Sequence, residues 1–224
     1  MNQKANQFSY NIKSAISTGE GRNWTKSSDD GVALTGKIEL MPFGSFKKDG
    51  THFEGDVARE EKPKLLLSGA FSQNNLSKRT QGQLGQDLFE QKTTKSFFLD
   101  AMLKYNGWSF MSAYMSRSAK NPIAFNPDDI TEFNYVPVGS GMDYQMSYVF
   151  TTNYEIIGRF STQKMHQDIQ TLTPNSKQYS IGVTKYLWEH AFKLQGEVTL
   201  SDLDYFDGSN KQNWYVRFQV EIGI

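Results

Sequence analysis

The residues best able to do chemistry are charged side chains at alternate positions of apolar segments. The basic members are Lys13, Lys37, Lys104, Arg117, Arg159, Lys193 and Arg217, and the acidic ones are Glu39, Asp100, Asp143, Glu155, Glu197 and Glu221. Fixed charges repeated along one side of a polar surface steer ions and hydrophilic solutes; they neither make nor break bonds. The two signs nearly balance, whereas a wall tuned for anions needs a clear basic excess. Cross-strand pairing that stiffens a wet wall is the simpler account of the set. Bond-making chemistry has weaker support. His52, His166 and His190 all fall in connections, with no serine or aspartate constellation around them to build a base-activated nucleophile. Asp202, Asp204 and Asp207-Gly208 offer oxygen ligands, but without the twelve-residue calcium loop and its closing glutamate they read as a solvated loop.

The elements that position these charges read as β-strands. Phe97, Leu99, Ala101, Leu103 and Tyr105 alternate with Asp100 and Lys104. Asn106-Gly107 supplies a two-residue turn, and Trp108, Phe110, Ser112 and Tyr114 continue the apolar face towards Arg117. The same pattern predicts strands over Phe8–Ser17, Val32–Pro42, Lys64–Gln73, Met142–Phe150, Tyr154–Ser161, Tyr179–Val183, Phe192–Leu200 and Trp214–Ile224. Polar connections are expected at Thr18–Gly31, Asn74–Lys95, Ser118–Val136, Lys164–Ser176 and Ser201–Asn213, and tight turns at Asn106-Gly107, Thr151–Asn153 and Tyr186–His190. Tyr105, Trp108, Tyr148, Phe150, Tyr154, Tyr186, Trp188 and Phe192 flank those turns as an interfacial girdle would. The charged stretch Phe43–Pro63 breaks the alternation of long and short connections, and sequence alone supplies no reason for it.

The bulk properties fit one all-β unit of 224 residues. Lys plus Arg equals Asp plus Glu, at 24 each, so no global basic excess points to nucleic acid. Mean hydropathy is −0.59 while aromatics make up 14% of the chain, a combination suited to strands that show an apolar residue only at every second position. Cysteine is absent, which excludes disulfides and thiolate metal sites. No apolar run is long enough for a membrane helix, whereas a membrane strand needs only ~9–11 residues. Met1–Gln7 lacks the apolar core of a signal peptide, so the expectation is a mature form or a truncated piece.

The segments LTGKIELMPFG (34–44), FEGDVAREEKPKLLLSGAF (53–71), RTQGQLG (79–85), FFLDAMLKYNGWSFMSAYMSRSAKNP (97–122) and GSGMDYQMSYVF (139–150) resemble the phosphate-selective porin O and P family of Gram-negative outer membranes. The resemblance implies a sixteen-stranded, usually trimeric barrel that passes small anions by diffusion; neither a cofactor nor a nucleic-acid partner is expected. It also implies a conserved pattern in the long connection, matched by Asp56, Arg59-Glu60 and Pro63-Lys64. The shortfall from sixteen strands makes the chain look like a C-terminal piece.

The expected fold is therefore an antiparallel transmembrane β-barrel, with about ten strands present as part of a sixteen-stranded whole. The expected function is an outer-membrane porin for passive diffusion of small hydrophilic solutes, anions such as phosphate among them, and not an enzyme. The alternatives are a structural or accessory component of a larger outer-membrane complex, and a soluble lipocalin-type barrel with its apolar face turned inward. The charged residues named at the outset are the expected pore lining, and lipid, small solutes and two further copies of the chain are the expected partners.

Overall fold

The computed structural model describes residues 2–5, 8–18, 31–82 and 84–223. Most of the expected Thr18–Gly31 loop, part of Met1–Gln7, and Ile224 lie outside the described residues. The fold is all-β. Its strands in chain order are β1 (Asn2–Ala5), β2 (Phe8–Ser17), β3 (Ala33–Met41), β4 (Lys64–Arg79), β5 (Asp87–Tyr105), β6 (Trp108–Ala119), β7 (Ile123–Phe125), β8 (Phe133–Tyr135), β9 (Gly139–Val149), β10 (Tyr154–Met165), β11 (Asn175–Trp188), β12 (Phe192–Asp204) and β13 (Asn210–Ile222). A short 3-10 segment, Lys47–His52, lies between β3 and β4.

The sheet is an antiparallel meander in the order β1-β2-β3-β4-β5-β6-β9-β10-β11-β12-β13, and β7 with β8 forms a separate two-stranded hairpin. Among the described residues β1 and β13 are the two edges, and no pairing closes the sheet into a barrel. The β5–β6 turn has Asn106 at φ 47° and Gly107 at φ 90°, the double positive φ that matches the twist of a two-residue hairpin. Tyr105 consequently pairs with Trp108, which fixes the register of the whole hairpin.

Several strands run further than the apolar alternation predicts. Most of Asn74–Lys95 is strand, because β4 continues to Arg79 and β5 begins at Asp87. Likewise β12 and β13 shrink the expected Ser201–Asn213 loop to residues 205–209, and Ser118–Val136 contains the β7–β8 hairpin. These extensions carry polar residues on both faces, so ladder hydrogen bonding holds them without a period-two apolar signal. Register shifts between Asn74, Ser77 and Arg79, with Leu76 at φ 52°, mark a bulge where the β4–β5 ladder leaves the regular part of the sheet.

The register sorts side chains onto two faces of unlike chemistry. One face holds Leu34, Ile38, Leu99, Phe110, Met146, Ile156, Ile181 and Phe218, all well exposed, up to 70% for Ile181 and 72% for Phe218. At its short-turn end Trp108 lies 4.8 Å from Tyr148, and Tyr148 meets Phe150 edge-on at 4.9 Å. Tyr186 does not join this girdle. Its register partner is Lys193, on the opposite face, and it is 4% exposed. Buried apolar residues collect in two places: Leu88, Ala124, Val136, Val138 and Ile169 near the β7–β8 hairpin, and Met41, Phe46, Leu66 and Met102 near the short turns.

Candidate functional site

All of the alternating charged residues fall on the second face. Row by row the ladder aligns Lys13 with Lys37, Glu39 with Ser68 and Asp100, Asp143 with Ser161, Glu197 with Arg217, and Lys193 with Glu221. Lys104, Glu155, Arg159 and Arg117 share that parity through Ser109, Thr184, Gln145 and Ser96.

Most of these charges are spent on each other. Glu39 accepts from both Lys13 and Lys37 at 2.9 Å, Arg159 pairs with Asp143 at 2.9 Å, Lys193 with Glu221 at 3.0 Å, and Arg217 approaches Glu197 at 3.7 Å. Asp100 accepts from Ser68 Oγ at 2.8 Å, and Arg117 Nε donates to Ser96 Oγ at 3.3 Å. Partly exposed pairs of this kind contribute about 0.2–1 kcal/mol each and serve register more than stability.

Lys104 is different, and it explains the Phe43–Pro63 stretch. That connection crosses the charged face near the short turns. Lys104, 2% exposed, donates from Nζ to the carbonyls of Gly50 at 2.8 Å, Phe53 at 2.7 Å and Gly55 at 3.0 Å. An ammonium has three donors, so all of them hold the connection down.

Further along, both Asp56 carboxylate oxygens accept from Glu60 N–H, at 3.2 and 3.1 Å. Oδ2 also accepts from Gly107 N–H at 2.8 Å, tying the connection to the β5–β6 turn. Arg59, at φ 47°, reaches the carbonyls of Val149 at 2.6 Å and Asn106 at 3.0 Å, and its guanidinium lies 5.8 Å from the Tyr148 ring centre. Asn106 N–H donates to Glu60 O at 2.8 Å, and Glu60 Oε1 accepts from Lys47 N–H at 2.5 Å. Lys64 Nζ donates to Phe43 O at 2.7 Å and clasps the two ends of the stretch together. The segment FEGDVAREEKPK is thus a set of anchors to the sheet.

Apolar packing adds a second attachment. Phe46 inserts among Met41, Leu66, Met102 and Met111, which sit on the charged face by parity. Apolar residues on an otherwise polar face are a sequence signal for a docked segment, and Leu66, Met102 and Met111 are such residues. Gly55 passes so close to the sheet that a β-carbon there would lie 2.6 Å from Tyr186 OH and 2.7 Å from Glu155 Oε1, closer than any side chain tolerates.

The far end of the connection meets the β11–β12 turn. Phe53 stacks on His190 at 3.9 Å with the rings 4° from parallel, Lys48 pairs with Glu189, and Tyr186 stands edge-on to His190 at 5.4 Å. Burial, then the Lys104 and Lys193 charges, pushes the His190 imidazole down to about 4, with Glu189 and Glu221 pulling weakly the other way. The folded state therefore holds His190 neutral, while in the unfolded chain it protonates near its ordinary value of about 6.5. Its contribution to stability is complete above that pH and is lost as pH falls from about 6.5 towards 4. We expect the connection to grow more susceptible to protease over that window, and a His190→Phe variant, which keeps the stack, to lose that component of the pH response. Equal slopes in the two proteins would contradict it.

The residues that sequence reasoning missed are Phe46 and Glu54 of the connection and Ser109 and Leu66 of the sheet, while Asp56 and Glu60 entered only through the family resemblance and Tyr186 was expected in the girdle. Asp56 and Glu60 line one hollow against the charged face, and Glu54 and Tyr186 line another. One, of about 330 Å³, lies between the connection and the β11–β12 turn; the other, of about 430 Å³, opens towards β12 and β13. Among the described residues no three histidine, aspartate or glutamate side chains converge as a metal site. No protein-family model matches this chain, and no curated protein matches it.

Proposed function

We propose that the chain is a section of the wall of an outer-membrane β-barrel in a Gram-negative bacterium, working as a passive diffusion pore for small hydrophilic solutes. One observation carries the reading. A broad sheet exposes a continuous apolar face, edged with aromatic residues at its short turns, while its other face is charged and crossed by a tethered connection. A soluble protein rarely leaves so large an apolar surface to water. In lipid that surface is the stable one, and the charged face becomes the wet lumen. Among the described residues β1 and β13 are open edges, and further strands would complete the barrel there, since unpaired backbone is not tolerated in hydrocarbon.

On this reading the connection 42–63 lies inside the lumen and narrows it, as an internal constriction does in a diffusion pore. The narrower expectation of phosphate selectivity draws no support from the charges. Lys13, Lys37, Arg159, Lys193 and Arg217 have carboxylate partners, and Lys104 is occupied by carbonyls. Conductance in planar bilayers tests the proposal. Discrete, ohmic current steps are expected from the complete barrel that carries this chain, and a complete barrel that inserts without conducting would favour a structural or accessory role.

A further inference from the structure

Most charges of the charged face are spent on each other, but two cations on the opposite face are not. By strand parity Lys95 lies on the face of Phe97 and Leu99, and Lys164 on that of Phe160 and Ile156. Both are exposed, at the long-connection end of the apolar face. Neither ammonium has a hydrogen bond or an ion pair among the described residues.

The ladder places a shelf of hydroxyls between them. Ser118 pairs with Lys95, Ser116 pairs with Phe97 and with Ser140, and Ser140 pairs with Lys164, so the three serines lie on the same face in the intervening strands. Their hydroxyls likewise find no partner among the described residues. From β5 to β10 is three strand steps, or about 14 Å at ~4.8 Å each, a gap that two lysine stems can close from either side around one anionic group. The positions of this face from Lys95 to Leu103, Trp108 to Ser118, Ser140 to Tyr148 and Tyr154 to Lys164 include no carboxylate.

Elsewhere on the face the protein answers its own cations. Lys177, on β11, pairs with Asp204 at 3.2 Å. At the short-turn end Lys185 Nζ donates to Thr152 O at 2.9 Å and lies 4.0 Å from the Tyr154 ring centre. Below the shelf, towards the short turns, the next row is Leu99, Tyr114 and Met142, followed by Tyr144 and Phe160. Unmatched donors at the rim of an apolar wall complement an amphiphile, whose chains meet the wall while its anionic headgroup meets the lysines.

We infer that this shelf is a docking site for a phosphorylated lipid of the leaflet on the long-connection side. Lys95 and Lys164 hold its phosphate, the hydroxyls of Ser116, Ser118 and Ser140 donate to it, and its chains lie against Leu99, Tyr114 and Met142. The inference rests on the outer-membrane reading and deepens it by naming the kind of lipid that this part of the wall selects. Free phosphate would meet the same donors but gain nothing from the apolar wall.

The test is native mass spectrometry of the complete barrel that carries this chain, released from dodecyl maltoside micelles supplemented with phosphatidic acid. Saturable retention of the lipid is expected, with its apparent affinity lowered about fivefold in Lys95→Gln and about fivefold in Lys164→Gln, the loss that goes with one lysine at an anionic headgroup. Lys185→Gln, at the other end of the same face, is expected to leave retention unchanged. Phosphatidylcholine with the same chains, whose phosphate is masked by a cation of its own, is expected to be retained more weakly, and excess inorganic phosphate is not expected to displace phosphatidic acid. Absence of retention, unchanged retention in either Lys95→Gln or Lys164→Gln, an equal loss in Lys185→Gln, equal retention of the two lipids, or displacement by inorganic phosphate would overturn the inference. Lys95 and Lys164 are exposed, so their variants fold as the wild type does. Because retention in micelles needs no current, a barrel that conducts without retaining the lipid refutes the docking site alone, and one that retains it without conducting refutes the pore alone.

Discussion

Replacing Lys104 by methionine is expected to release the 42–63 connection from the sheet, at a cost of about 3–5 kcal/mol, as removal of one member of a buried charged network does. Three carbonyl hydrogen bonds vanish together, and Asp56, Glu155, Glu60 and Glu54 lose the cation whose field they share. Methionine roughly matches the lysine stem, so the effect comes from the ammonium and not from a cavity. The damage is local, because the β-ladder on either side of Lys104 is made by backbone. Limited trypsin digestion reads it directly, since Lys47, Lys48 and Arg59 lie in the connection. Cleavage there should rise on the order of a hundredfold or more, at a factor of ten per ~1.4 kcal/mol. Cleavage at the wild-type rate would show that the carbonyl contacts do not hold the segment. If the chain lines a pore as proposed, a complete barrel carrying the same variant should conduct more in bilayers, because the connection no longer narrows it.

Phe46→Ala tests the apolar half of the attachment. Phe46 is 8% exposed and packs on Met41, Leu66 and Met102, with Met111 beside them. Truncating a buried phenylalanine costs about 3–5 kcal/mol through lost transfer energy and the cavity left behind. The expected result is again faster cleavage within the connection, with Phe46→Leu restoring most of the protection. Phe97, 41% exposed on the opposite face, provides the contrast. Phe97→Ala should leave the connection as protected as in wild type, and a comparable effect from both positions would contradict the assignment of faces.

How much of this was legible in the sequence follows from the physics of each part. The hairpin around Asn106-Gly107 was readable to the residue, because strict apolar alternation and a positive-φ turn fix register locally. The placement of Lys13, Glu39, Arg159 and Asp143 on one face followed from the same period of two, and so did their cross-strand pairing. The polar ends of β4 and β5 were not legible. Asn74, Asn75, Ser77 and Lys78 alternate nothing, and only the ladder shows them to be strand. Tyr186 was misplaced by proximity to a turn, although its parity with Thr184 and Ser180 already put it on the charged face.

The path of Phe43–Pro63 was the largest gap. Its length and charge were plain, but its partners lie far along the chain, with Lys104 reaching back to Gly50 and Arg59 forward to Val149. No local pattern encodes such contacts. The nearest clue was negative: Leu66, Met102 and Met111 interrupt a face that is otherwise polar, and an apolar patch facing water needs a cover.

The central claim is that the apolar face meets lipid and the charged face meets water. With no cysteine in the chain, single cysteines can be placed along β5 at positions 97 to 103 and spin-labelled after reconstitution into vesicles. Collision with oxygen, which concentrates in lipid, and with a water-soluble nickel chelate reports the surroundings of each label. We predict a period of two, with labels at Phe97, Leu99 and Leu103 favouring oxygen and those at Phe98, Asp100 and Met102 shielded from it. Nickel accessibility at Phe97, Leu99 and Leu103, or no alternation along the strand, would contradict the account.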